Sequence, residues 1–91
     1  MRYWRPDLRS VRDGEWYLFD GNRKIAVLRV VELGTQKERM IRSVTWAPRS
    51  EDRWLVGYFP HLRMAAEVTW LEYQKELERD GATPPPPPRR G

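Results

Sequence analysis

The stretch that most constrains this chain is Arg53 to Arg79, which reads RWLVGYF and then PHLRMAAEVTWLEYQKELER. A short apolar run of strand length passes through Pro60 into about five turns of helical pattern, so the hydrophobic period changes from about two to about 3.6 within a few residues. A helix of this kind needs an apolar surface to cover. The residues before it, rich in β-branched and aromatic side chains, predict a sheet as that surface.

On the helix, Leu62, Ala65, Ala66, Thr69, Tyr73 and Leu77 form one stripe, with Trp70 at its edge. The two alanines let the helix approach the sheet closely. Met64, Val68 and Leu71 form a second apolar line that either widens the buried face or marks a partner or dimer contact. No Ser, Thr, Asp or Asn immediately precedes Leu62 to act as an N-cap, whereas Gly81 is a suitable terminator.

Upstream, Glu15 to Phe19 is strand-like and Asp20-Gly21-Asn22 forms a turn that tolerates positive φ, which predicts a hairpin. Its second strand, Lys24 to Leu33, alternates imperfectly. Ile25, Val27, Val31 and Leu33 share a face with Arg29, while Ala26, Leu28 and Val30 lie opposite, so either a bulge shifts the register or both faces are partly covered. A turn over Gly34 to Glu38 leads into a third strand, Arg39 to Trp46, with Arg42 on the Met40 face. Pro48 ends it. A polar loop then reaches the last strand, Trp54 to Phe59, in which Gly57 permits a bend or a close backbone approach. Every connection is short enough for a hairpin. The expected fold is therefore α+β, a three- to four-stranded antiparallel meander packed against one C-terminal helix.

Two flanking segments have a different composition. Residues 1–14 carry Arg2, Arg5, Arg9 and Arg12 around Tyr3 and Trp4 and read as a basic, partly extended arm, with Trp4 docked on the domain. Such an arm also suits a nucleic acid backbone or minor groove. Residues 82–91 contain Pro84 to Pro88 followed by Arg89-Arg90, which favours a semi-rigid polyproline spacer with a basic tip. This tail contains proline-x-x-proline-x-arginine, the pattern of ligands for aromatic grooves, although a solvated tail is the simpler expectation. Residues 15–81 then form the single domain. At 91 residues its core must be dense in large side chains, and five tryptophans supply much of the bulk.

Charge is distributed unevenly. From Arg23 to Arg49, seven cations (Arg23, Lys24, Arg29, Lys37, Arg39, Arg42, Arg49) stand against only Glu32 and Glu38. The helix has the opposite sign: from Pro60 to Asp80 three cations face five carboxylates. A basic sheet braced by an acidic helix presents its sheet side to a polyanion, with a solvated mixed-charge surface as the alternative. Fourteen arginines against three lysines suit bidentate recognition of phosphate or guanine, an excess that a GC-rich genome also produces.

Chemistry is sparsely represented. The chain has no cysteine, so disulfides and thiolate metal sites are excluded, and His61, the single histidine, cannot form a multi-histidine site within one chain. Glu51-Asp52 reads as ordinary solvated charge. No phosphate-binding glycine loop or nucleophile elbow occurs. The expectation is a non-enzymatic protein without cofactor or metal. With no apolar run of membrane-spanning length and no apolar signal core at the N-terminus, a soluble cytoplasmic protein is expected.

Arg53-Trp54-Leu55-Val56-Gly57-Tyr58-Phe59, followed by Ala65-Ala66 and an aromatic at Trp70, resembles the final strand and helix of two related DNA-binding domains. These are the plant APETALA and ethylene-response-factor domain and the arm-type domain of phage integrases. The resemblance implies a three-stranded antiparallel sheet, braced by the helix, that reads the major groove. It implies that Arg39 to Trp46 is the middle strand and Lys24 to Leu33 the first. The specific match is confined to the last twenty-five or so residues, Pro60-His61 replaces the family's usual threonine cap, and an extra strand precedes the sheet.

On that reading Arg29, Arg39, Arg42 and Arg49 supply phosphate contacts and one guanine contact, Trp46 packs on sugars, Lys24 and Lys37 sit in turns suited to the backbone, and Arg23 belongs to the same nucleic-acid-binding cluster. Single-stranded nucleic acid bound by stacking is a variant. The leading expectation is duplex DNA binding by a small phage-like or mobile-element regulator, a monomer or weak homodimer. The alternative is a protein-interaction module, for example an inhibitor of a host protein, using Met64, Val68 and Leu71 or the proline tail.

Overall fold

A computed structural model describes residues 7–82 of the chain. Five strands, β1 (Asp7–Arg12), β2 (Glu15–Asp20), β3 (Arg23–Leu33), β4 (Glu38–Thr45) and β5 (Leu55–Phe59), are followed by one helix, α1 (Leu62–Ala82). A short 3-10 turn, Ser50–Asp52, precedes β5. The strands lie side by side in chain order and every neighbouring pair is antiparallel, so the fold is an α+β meander. Connections of a few residues leave no other economical topology.

The sheet has one strand more than expected. Residues 7–12, expected to belong to a basic arm, pair with β2 along its length, Leu8 opposite Leu18 and Ser10 opposite Trp16. Pro6 and the polar DLRSVR pattern concealed this strand, because an edge strand needs only one apolar contact face and tolerates a proline at its entrance. The helix also continues through Gly81 to Ala82. Trp4 and the proline run lie outside the described residues.

The imperfect alternation of β3 resolves as a bulge. Register against β2 shifts between Leu18, opposite Ala26, and Phe19, opposite Lys24, which leaves Ile25 as the extra residue. Ile25 and Ala26 are consequently both buried, at 7% and 0% exposure. At the turn before it, Gly21 takes φ of 63°, a left-handed conformation that glycine adopts without a Cβ clash. A second shift in the β4–β5 register falls between Ser43 and Val44. There Gly57 lies under the Phe59 ring, and a Cβ added to it would meet Phe59 Cζ at 3.0 Å.

The helix covers one face of β3, β4 and β5. Leu18, Ile25, Ala26, Leu28 and Ile41 from the sheet meet Ala65, Ala66 and Trp70 from α1. Two alanines at the contact bring the helix backbone close, and the large indole fills the remaining space. Trp70, expected at the edge of the stripe, is buried at 9% exposure, while Leu77 at the distal end remains 38% exposed. Two side-chain hydrogen bonds among the described residues join helix to sheet, the buried Ser43–Thr69 hydroxyl pair and Tyr73 OH donating to Asp20 Oδ2 at 2.7 Å. Among the described residues, no helix is long and apolar enough to cross a membrane.

Candidate nucleic-acid interface

Strand alternation sends the other half of the sheet's side chains to the face opposite α1. With Leu18, Leu28 and Ser43 buried beneath the helix, Tyr17, Val27, Arg29, Arg42 and Val44 must point the other way. Register aligns them in rows across the strands. Arg9, Tyr17, Val27 and Val44 form one row, and Glu15, Arg29, Arg42 and Tyr58 form the next. No element of the described residues covers this face.

At the end of the sheet where β3 begins, the cations of this face lie on aromatic rings. The Lys24 ammonium is 3.9 Å from the centroid of Tyr17 and 4.3 Å from that of Trp46. The Arg53 guanidinium is 4.1 Å from the Trp46 ring, and its Nε donates to the Ala47 carbonyl at 2.8 Å. On β1, Arg9 lies 4.2 Å over Phe19 while pairing with Asp7 at 2.8 Å. That pair holds the Asp7 carboxyl below its ordinary value, chiefly through the Arg9 hydrogen bond, and raises Arg9 correspondingly. A cation fixed over a ring gains attraction from the ring quadrupole and gives up part of its rotamer freedom before any ligand arrives.

Among the described residues, Lys24, Arg29, Arg42 and Arg53 form no ion pair. Glu15, the carboxylate of the Arg29 row and the residue opposite Arg29, is engaged by Arg12 at 3.1 Å. Arg29 and Arg42 face each other directly across β3 and β4. Like charges in that position oppose folding. A strip whose cations outnumber its one carboxylate, itself engaged by Arg12, is suited to an external polyanion.

Of the residues singled out from sequence, Lys24, Arg29, Arg42 and Trp46 share this face. The other four do not. Arg23 follows the opposite alternation and reaches toward Tyr73 of α1, 5.8 Å from its ring. Arg39 is opposite Glu32 and alternates with buried Ile41 and Ser43, on the helix side of the sheet. Lys37 occupies the β3–β4 turn with φ of 52°. Arg49 is in the loop and binds Glu51 at 2.7 Å. Arg9, Tyr17, Phe19, Arg53 and Tyr58 join the face without having been expected there. Trp46 also differs from expectation, because Lys24 and Arg53 already lie against its ring, leaving little of it for sugar or base contact.

The second helix line is only partly covered. Met64 and Leu71 are 41% and 57% exposed, with Val68 intermediate. No family model, curated protein or solved structure matches the chain.

Proposed function

We propose that this chain is a non-catalytic DNA-binding domain that lays the open face of its sheet against the duplex. The observation that carries the reading is the set Lys24, Arg29, Arg42 and Arg53, four cations on one face with no ion pair among the described residues. Lys24 and Arg53, held by Trp46, act on phosphates, and the central Arg29 and Arg42 are placed for guanine edges. An antiparallel sheet is one of the elements that fits a major groove. Duplex is favoured over stacked single strands because Lys24, Arg53 and Arg9 already occupy faces of the Tyr17, Trp46 and Phe19 rings.

The test is fluorescence anisotropy of labelled duplex DNA over a salt series, with an Arg29→Ala/Arg42→Ala variant alongside. Two phosphate neutralisations, by Lys24 and Arg53, give a log-log salt slope of about −1.8. A flatter slope with unchanged affinity for the variant would sink the proposal. A second reading, an apolar protein contact through Met64 and Leu71, is favoured by their exposure and predicts capture of a partner that is insensitive to salt.

A further inference from the structure

The described residues leave the sheet two outer edges, β1 and β5, and these differ in kind. β1 carries Asp7, Arg9 and Arg12, charges that discourage a further strand from pairing there. β5, with the sequence LVGYF, carries none. An uncharged apolar edge is a template for another strand. We propose that the strand it takes is β5 of a second copy of this chain, paired antiparallel about a two-fold axis at Gly57 so that two sheets become one.

Backbone directions set this register. Trp46 N–H donates to the Ile25 carbonyl and Thr45 N–H to the Trp54 carbonyl, so even-numbered residues of β4 turn their backbone groups to β3 and odd-numbered ones to β5. Ile41 and Ser43 stand opposite Phe59 and Gly57. Phe59 and Gly57 therefore turn inward, and Val56 and Tyr58 direct their N–H and C=O groups away from β4. Because these two residues flank Gly57, the axis sets Val56 of each copy against Tyr58 of the other and satisfies both sets. Gly57 then meets its own counterpart, in the pair type where strands come closest and a missing Cβ gives most room.

The surroundings of the edge favour a second copy. Leu55 and Tyr58 are exposed on β5. Val68 of α1 lines a groove with Leu55 and Val56, and exposed Met64 and Leu71, four residues before it and three after, continue the same side of the helix. The two-fold brings this apolar rim toward an identical one, and no charge on β5 meets its like. Pairing of β1 with β5 of a neighbour would instead set a charged edge on an uncharged one and would not close. Arg42 of one copy stays three strand spacings from its counterpart, about 14 Å, which exceeds the screening length of about 8 Å. Both open faces point the same way, so the dimer would present its cations to an inverted repeat; that consequence alone rests on the DNA-binding reading.

Sedimentation equilibrium of the full chain from micromolar to millimolar concentration tests the contact without nucleic acid. A reversible monomer–dimer equilibrium is expected, abolished by Val56→Lys and unchanged by Ser10→Lys on the other edge, with the parent's circular dichroism retained in both. Because the chain has no cysteine, the register has its own test. A mixture of Val56→Cys and Tyr58→Cys chains should cross-link on oxidation, since directly opposed Cα atoms about 5.5 Å apart suit a disulfide. Either variant alone, its two cysteines offset by two residues, should not. A chain that stays monomeric throughout overturns the proposal, as does a dimer that Val56→Lys leaves intact or that Ser10→Lys disrupts equally. Cross-linking no faster in the mixture than in the single variants overturns the axis at Gly57 and the proposal with it. A monomeric chain leaves the DNA-binding reading untouched, and failure to bind duplex leaves the dimer untouched.

Discussion

Arg29 and Arg42 are directly opposed on β3 and β4, in the middle of the face that the helix leaves open. Directly opposed like charges cost roughly 0.2–1 kcal/mol relative to a neutral pair. Arg42→Thr removes that repulsion and places a β-branched side chain on the strand, so it should raise the urea midpoint. The same change should lower duplex affinity by about 1–3 kcal/mol and relax sequence preference, with the salt slope little changed. Opposite signs in the two assays are the expected outcome. A variant that loses stability and keeps its affinity would show that Arg42 serves the fold.

Ser43 Oγ and Thr69 Oγ1 are 2.6 Å apart, with Ser43 fully buried and Thr69 3% exposed. Either hydroxyl alone at that depth is an unpaired polar group. Ser43→Ala or Thr69→Val should each cost about 1–3 kcal/mol, whereas the double variant should cost clearly less than the sum. Urea unfolding of the four proteins measures the coupling. Additive losses would place the stabilisation in packing, outside the hydroxyl pair.

Where each element begins and ends could be read largely from sequence, because period and turn chemistry are local. The change at Pro60 located α1, and the broken alternation of Lys24 to Leu33 left open a bulge or two partly covered faces, of which the bulge lies at Ile25. Strand β1 escaped notice because an edge strand has little apolar pattern to display. The candidate face was less legible. Grouping cations by proximity in the chain joined Arg39 to Arg42, although three residues apart on a strand means opposite faces. Conversely, Arg53 and Lys24 meet at Trp46 only through pairing of β3, β4 and β5, which no local spacing encodes.

Lys37 occupies φ of 52° in a turn closed by its own N–H donating to the Gly34 carbonyl at 3.1 Å. A side chain in this left-handed region costs roughly 1–2 kcal/mol, offset in part by the greater unfolded freedom of glycine. Lys37→Gly should therefore stabilise the chain by about 0.5–1 kcal/mol in chemical denaturation. Lys37 is away from the open face, so its removal should lower duplex affinity less than Lys24→Ala does. Equal losses would extend the interface to the β3–β4 turn.

Trp46 separates two accounts of how aromatic rings serve this face. If the ring holds Lys24 and Arg53 in place, Trp46→Leu keeps apolar bulk but removes the attraction, about 0.5–1 kcal/mol per exposed contact. Duplex affinity should then fall, and the variant's salt slope should stay near that of the parent because both cations remain. Single-stranded DNA should respond no more strongly than duplex. If the ring instead stacks on bases, the loss should be selective for single strands and amount to roughly 1–3 kcal/mol per stacked base. Parallel anisotropy titrations of the parent and Trp46→Leu with both ligands distinguish the two, and selective loss of single-strand binding would reject the cation-holding role.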